Sequence, residues 1–186
     1  MSRDNDSTLS QITAEFERST RIDPERVRTW MRTDDLEASG ALMSLFTDSR
    51  HDSRIDPPLE AEEYYPFVRD YYMRAMLENQ EGEWADPTTI AGHDFARWFQ
   101  KLWDDIDIPR ETLGDLKDAL KRTYIAAEPA VRLNIVLSAL EDLFKNADIL
   151  DYFADWKNEQ LLSDAYKDAK QLADAYKSTH ERARTT

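Results

Sequence analysis

The sequence predicts an all-α protein, a compact multi-helix bundle preceded by an N-terminal helical pair. Three observations carry that expectation. Apolar residues return at spacings of three and four along most of the chain, which is the mark of one helical face. Glycine is scarce: Gly40, Gly82, Gly92 and Gly114 are the four in 186 residues, so hairpin turns have little to be built from. Proline stands where helices begin. Asp23-Pro24 and Asp86-Pro87 each place a capping carboxylate before a proline at the first helical position, where its missing N–H costs nothing.

The elements follow in order. A helix over 8–19 and a second over 24–48 form the pair, with Ile22 in the turn, Asp23 as cap, and Val27 with Trp30 or Met31 facing the first helix. His51 to Leu59, with Asp56-Pro57-Pro58, reads as a linker, so the pair occupies 1–50 and the bundle 59–181. A helix over 59–79 buries Tyr64, Phe67, Val68, Tyr71 and Ala75, and Pro66 should kink or restart it. The helix over 87–106 carries Ala91, Phe95, Trp98, Phe99, Leu102 and Ile106 on one stripe, and that over 110–126 carries Leu113, Leu116, Leu120 and Tyr124. The helix over 129–145 is apolar around more than half its circumference, with Asn134, Ser138, Glu141 and Asp142 as a narrow wet strip, and should be central. A short helical turn at 148–154 leads to a helix over 159–181, whose seam is Leu162, Tyr166, Ala169, Ala173 and Tyr176. Trp98, Trp103, Leu116, Leu133, Leu140 and Phe144 are the expected core.

Hydrophobic residues make up 41 % of the chain, enough for one ordinary domain with a short appendage. No apolar run reaches the roughly 18 residues that cross a bilayer, and the N-terminus lacks the apolar stretch of a secretory signal. With no cysteine there are neither disulfides nor thiolate metal sites, which fits a reducing cytosol, and a cytoplasmic location is expected. The net charge is −14. An ordinary solvated surface, a salt-adapted or high-GC source (aspartate outnumbers glutamate, arginine outnumbers lysine), and an acidic face for a basic partner all produce such an excess. It is uneven. From Met1 to Arg32 six acids balance six bases, whereas from Asp34 to Asp94 there are 15 acids against Arg50, Arg54, Arg69 and Arg74. Phosphate attraction needs a basic surface, so the chain as a whole does not suit nucleic acid.

Catalytic patterns are lacking. There is no Gly-x-Ser-x-Gly elbow, no His-Glu-x-x-His and no Glu-x-x-His, and His51, His93 and His180 are too dispersed to supply the three or four ligands of a zinc site. Adjacent acids such as Asp104-Asp105 point to different sides of a helix. No catalytic residue, metal or cofactor is expected, and an enzyme with no recognisable motif is the remaining alternative of that class.

From about Tyr64 to residue 170 the chain resembles a family of small, uncharacterised helical bacterial proteins. The resemblance lies in Glu78-Asn79, Gly82-Glu83-Trp84, Gly92 with Trp98-Phe99, Leu102-Trp103, Leu113-Gly114-Asp115-Leu116-Lys117, Leu140-Glu141-Asp142-Leu143-Phe144 and Phe153-Ala-Asp-Trp156-Lys157. It implies one helical unit and no mechanism; immunity-like partners of toxins are of this size and character, an analogy of type alone. Separately, Ser19 to Met31 resembles the turn and second helix of helix-turn-helix modules, which would leave Arg26, Arg28 and Arg32 for DNA. The balanced charge of that segment is poor for a DNA reader, and a packed helical hairpin accounts for the same pattern.

The function expected is therefore a non-enzymatic protein-binding module, immunity-like or an inhibitor of a basic effector, with a DNA-binding regulator as the alternative. Its contact residues are expected among Glu60, Glu62, Glu63, Tyr65, Tyr72, Glu81 and Glu83, where acids stand beside more tyrosine and methionine than one buried stripe needs.

Overall fold

Asp23 caps its helix as the sequence requires: its carboxylate accepts the Glu25 N–H at 3.0 Å, and Pro24 takes the first helical position. The computed structural model describes residues 7–47, 54–78 and 87–184, with side chains through residue 179, and those residues are all-α. The helices are α1 (Thr8–Arg18), α2 (Pro24–Trp30), α3 (Leu36–Thr47), α4 (Ala61–Leu77), α5 (Thr88–Asp104), α6 (Arg110–Ala126) and α7 (Pro129–Ile135). A π-helical turn (Val136–Leu140) joins α7 to α8 (Glu141–Phe144), followed by α9 (Ala147–Tyr152), a 3-10 segment (Ala154–Asn158) and α10 (Gln160–Arg184). They fall into two compact units, one ending at Pro87 and the other beginning at Thr88.

In the first unit the helix expected over 24–48 is two helices. Asp35 Oδ1 accepts the N–H groups of Glu37 and Ala38 at 3.0 and 3.2 Å, and Thr33 Oγ1 accepts that of Asp35 at 3.2 Å, so this polar run starts a new helix instead of continuing the old one. Ile12, Ile22, Val27, Trp30, Leu42 and Leu45 form the core, and Ile55 and Leu59 complete it. The linker reading is corrected by the latter two. The Ile22 N–H donates to Arg54 O at 2.7 Å and the Asp56 N–H to Ile22 O at 3.2 Å, a single parallel bridge. The Arg54 guanidinium donates to the carbonyls of Phe16 and Ser19 at the end of α1. Helix α4 also belongs here: Tyr64 stacks on Phe46 at 4.9 Å, and Phe67 meets the same ring at 5.8 Å. The division thus falls after α4 and not between residues 50 and 59, because the first helices draw their covering side chains from 55–67. Pro66 sits exposed within a continuous α4, which gives up one backbone bond without restarting.

The second unit is built on α5, α7, α8 and α10. The stripe of α5 is buried at Ala91, Phe95, Trp98, Phe99 and Leu102, and that of α6 at Leu113, Leu116, Leu120 and Tyr124. Phe99, Phe144 and Trp156 surround Phe153 at 5.9, 5.7 and 5.3 Å. Lys117 ties α6 to the 3-10 segment, donating to Tyr152 O at 2.7 Å and Asp155 Oδ1 at 2.5 Å. The stripe of α5 ends early: the helix stops at Asp104, and Ile106, in the following turn, is 96 % exposed. Trp103 is half-buried, with the Arg110 guanidinium 4.6 Å from its ring. On α10, Leu162, Tyr166, Ala169 and Ala173 are buried, while Tyr176 lies outside the seam.

The helix from Pro129 corrects the reading most. It is central, packed against α5, α6 and α10, yet its polar strip faces inward. Asn134 Nδ2 reaches Thr88 Oγ1 at 3.3 Å, Ser138 is fully buried, and Asp142 bonds to α5. Leu133, expected in the core, is 57 % exposed, and Leu137 lies 39 % exposed beside it. Gly92 explains the inversion. A Cβ there would stand 2.0 Å from Ser138 Oγ and 2.8 Å from Ser138 Cβ, so the backbones approach where both residues are small. Ser138 Oγ donates to Asn134 O at 2.6 Å and is satisfied without water. In an α-helix a four-residue step overshoots one turn by about 40°. The wider π turn, closed by the Glu141 N–H donating to Val136 O, offsets that drift and keeps Asn134, Ser138 and Asp142 in one row against α5.

Two substitutions separate these readings. Leu140→Ala should cost about 2–5 kcal/mol by urea unfolding and Gly92→Ala about 1–3 kcal/mol, the former for a cavity and the latter for overpacking. Leu133→Ala should stay within about 0.5 kcal/mol of the parent, as an exposed position does. A Leu133 variant as unstable as that of Leu140 would contradict the exposed placement.

Candidate functional site

The acidic residues chosen from the sequence gather around the start of α4. Glu60 is its N-cap and exposed, and its N–H donates to Glu63 Oε1 at 3.2 Å, half of a capping box. Glu62 is exposed in the first turn, and neither Glu60 nor Glu62 forms an ion pair among the described residues. Tyr65 is half-buried, edge-on to Tyr64 at 4.9 Å. Tyr72 is a correction. It is 3 % exposed, aligned by four- and three-residue steps with buried Val68, Ala75 and Met76, so the apparent surplus of aromatic and methionine side chains on this helix widens the buried face. Glu81 and Glu83 lie outside the described residues.

Of the arginines proposed for DNA, Arg28 meets one of those acids, Glu63. Arg28 Nε and Nη2 donate to both oxygens of Glu63 at 2.6 and 3.0 Å, and Nη1 donates to Glu25 at 2.7 Å. The hydrogen bond with Glu63 raises the Arg28 pKa and, reciprocally, holds the Glu63 carboxyl below the usual carboxylate range. Arg26 Nη1 donates to Glu15 at 2.5 Å, while Arg32 is exposed and forms no ion pair among the described residues. Exposed pairs of this kind contribute little to stability, but a phosphate would have to displace two carboxylates from Arg28.

The sequence reading missed a polar cluster in the second unit. His93 Nδ1–H donates to Asp142 Oδ2 at 2.6 Å, Lys145 Nζ donates to Asp142 Oδ1 at 2.5 Å, and Glu141 lies 3.4 Å from the same ammonium. Gln100 holds the Asp142 carbonyl at 2.9 Å, and Tyr176 presents its ring 3.9 Å from Lys145 Nζ. Burial pushes the Asp142 carboxyl up, but hydrogen bonds from Lys145 and His93 outweigh it and leave the carboxyl below its ordinary range. Burial likewise lowers Lys145, and its bonds to Asp142 and Glu141 outweigh that to raise it. Glu141 and Asp142 could have been flagged as partners of Lys145 by their three- and four-residue spacings, whereas His93 is 49 positions from Asp142 and carries no such signal. The arrangement can orient a histidine through its carboxylate partner. No group of three or more metal-ligating side chains occurs among the described residues.

No family model matches the chain, and no match was found among curated proteins or solved structures. The likeness noted from Tyr64 onward therefore brings no residue roles with it. No helix of the described residues is long and apolar enough to cross a membrane.

The second unit also has an open groove of about 580 Å³ between α7 and α10. Leu133, Val136, Leu137, Leu172 and Ala175 line it, Tyr124 and Pro129 close one part, and Arg132, Asp168 and Gln171 supply the polar groups. Of its apolar residues, the sequence places Leu133 in the core and Tyr124 on the buried stripe of α6.

The Asp142 cluster sets a pH dependence. A depressed Asp142 stabilises fully above about pH 4 and loses this as pH falls through its folded value; a raised Lys145 stabilises fully below about pH 10.4 and loses this as pH rises through its own. Asp142→Asn should therefore cost about 1–3 kcal/mol near pH 7 and less at pH 3 or pH 11, measured as the difference in urea midpoints. A cost that does not change with pH would remove the ionic account of this cluster.

Proposed function

We propose that this protein is a non-enzymatic, cytoplasmic protein-binding module whose acidic surface at the start of α4 engages a partner with a basic surface, in the manner of an immunity protein or an inhibitor of a basic effector. One observation carries the reading. The first unit uses Arg26 and Arg28 on its own Glu15, Glu25 and Glu63, while Glu60 and Glu62 stay exposed without an ion pair among the described residues. What this surface offers a partner is negative charge, and negative charge at a rim steers association with a basic surface and raises the on-rate. Tyr65, half-buried beside Glu62, is the aromatic contact that goes with it; Tyr72 has no part.

The DNA-binding alternative draws on the same residues and gains less from them, because Arg28 is held by two carboxylates and Arg26 by a third. Arg32 is exposed and forms no ion pair among the described residues, and DNA binding that weakens steeply with salt and again in Arg26→Ala, Arg28→Ala and Arg32→Ala would favour it.

The test is a pull-down from the native cell with the parent and with Glu60→Gln/Glu62→Gln, which leaves the Glu63–Arg28 pair intact. The expected result is a basic protein whose association rate falls about threefold to tenfold in the variant and falls again with added salt. Recovery of the same proteins in the same amounts would overturn the assignment.

A further inference from the structure

We infer that the groove between α7 and α10 is a docking site for a cationic amphipathic helix of another protein. The site lies wholly in the second unit and shares no residue with the α4 surface of the first, so either reading survives the failure of the other.

The first support is that the helix is turned against its own pattern. Its polar residues Asn134, Ser138 and Asp142 face α5, and its apolar residues Leu133 and Leu137 are 57 % and 39 % exposed. Single exposed leucines are commonplace. Here two ridges face each other. Pro129, Leu133 and Leu137 stand at four-residue steps on one side, and Asp168, Leu172 and Ala175 at steps of four and three on the other. Buried Val136 and Tyr124 floor the space between them, and the small Ala175 leaves depth. The eight steps from Pro129 to Leu137, through α7 and into the π turn, span about 12 Å, two helical turns. That length receives a helix whose apolar side chains recur at i, i+4 and i+7, the helix-in-groove mode.

The second support is charge. Two ionic side chains line the groove, and they are not equivalent. The Arg132 guanidinium donates to Tyr124 O at 3.0 Å and Ile125 O at 2.7 Å, so its charge is directed at the carbonyl end of α6. Asp168 is exposed and forms no ion pair among the described residues. The open charge on the wall is therefore a carboxylate, on a chain of net charge −14. A second copy of this acidic chain would be repelled, whereas a lysine or arginine beside the apolar anchors of an incoming helix would pair with Asp168.

The probe is a fluorescein-labelled 18-residue designed peptide, leucine at i, i+4 and i+7 of each repeat with lysine on the flanks, titrated by anisotropy with the full chain near physiological salt. Saturable one-to-one binding is expected, weakened about tenfold or more by Leu133→Asp or Leu137→Asp and about threefold by Asp168→Asn. The exposed positions keep these variants folded, which circular dichroism checks. Glu60→Gln/Glu62→Gln should bind the peptide like the parent, and a peptide with glutamate in place of lysine should not bind. Absence of binding, equal binding by the leucine variants, or equal binding of the glutamate peptide would overturn the proposal. So would loss of binding in the Glu60/Glu62 variant, or a dimer of the parent that Leu133→Asp dissociates.

Discussion

Helix α5 and the helix after Pro129 approach so closely that a methyl group at Gly92 would stand 2.0 Å from Ser138 Oγ. Much of the second unit depends on that approach. It places a row of polar residues at the contact, where a larger apolar side chain would hold the backbones apart. It calls for the π turn, since an ordinary α-helix would carry the row away from α5 within two steps. It brings Asp142 to His93, and Lys145 follows on the next turn. It also fixes which side of the helix is left over, the side of Leu133 and Leu137.

Charge is distributed by a comparable logic in the first unit. Sequence alone shows six acids and six bases up to Arg32, a balance that reads as neutral. The fold resolves the balance into particular pairs, and two of them reach beyond the segment: Arg21 takes Asp56 and Arg28 takes Glu63, each 35 residues away. The second pair lies across α2 and the first turn of α4, which is why Glu63 has less to offer a partner than Glu60 or Glu62. Glu60 and Glu62 form no ion pair among the described residues, and they lie in the stretch where the sequence places 15 acids against four bases.

Helix existence was legible in the sequence because its signals are local. Pro24, Pro87 and Pro129 stand at the starts of α2, α5 and α7, and the stripes of α5 and α6 are buried residue for residue until Ile106. The break before α3 was legible too, in Thr33-Asp34-Asp35, a run of capping residues that a continuous apolar pattern on either side concealed. What was not legible is which side of an apolar helix its neighbours would cover. Periodicity marks a face but not the partner, and the helix from Pro129 has apolar residues enough for two faces. A polar strip is ordinarily the wet one; Ser138 is dry because it is small enough to meet Gly92 and has a backbone carbonyl of its own to bond. The same limit hid the candidate sites. Tyr72 reads as surplus when α4 is given one narrow stripe, and His93 reads as isolated when its acceptor is 49 residues away.

The inverted helix bears on function through the difference between leaving apolar surface exposed and having nowhere to put it. Leu133 and Leu137 are not residues that the fold failed to bury for want of polar alternatives, since the same helix holds Asn134, Ser138 and Asp142 and turns them inward. Rotating the helix by about 100°, one residue's worth, would bring Leu133 and Leu137 to the places of Asn134 and Ser138. The close approach at Gly92 forbids that rotation, because leucine cannot occupy the place of Ser138 against it. An exposed apolar ridge held by a steric constraint elsewhere is a stable feature of the surface. Placed opposite a second ridge with an uncompensated carboxylate, it has the rigidity that keeps the entropic cost of binding low.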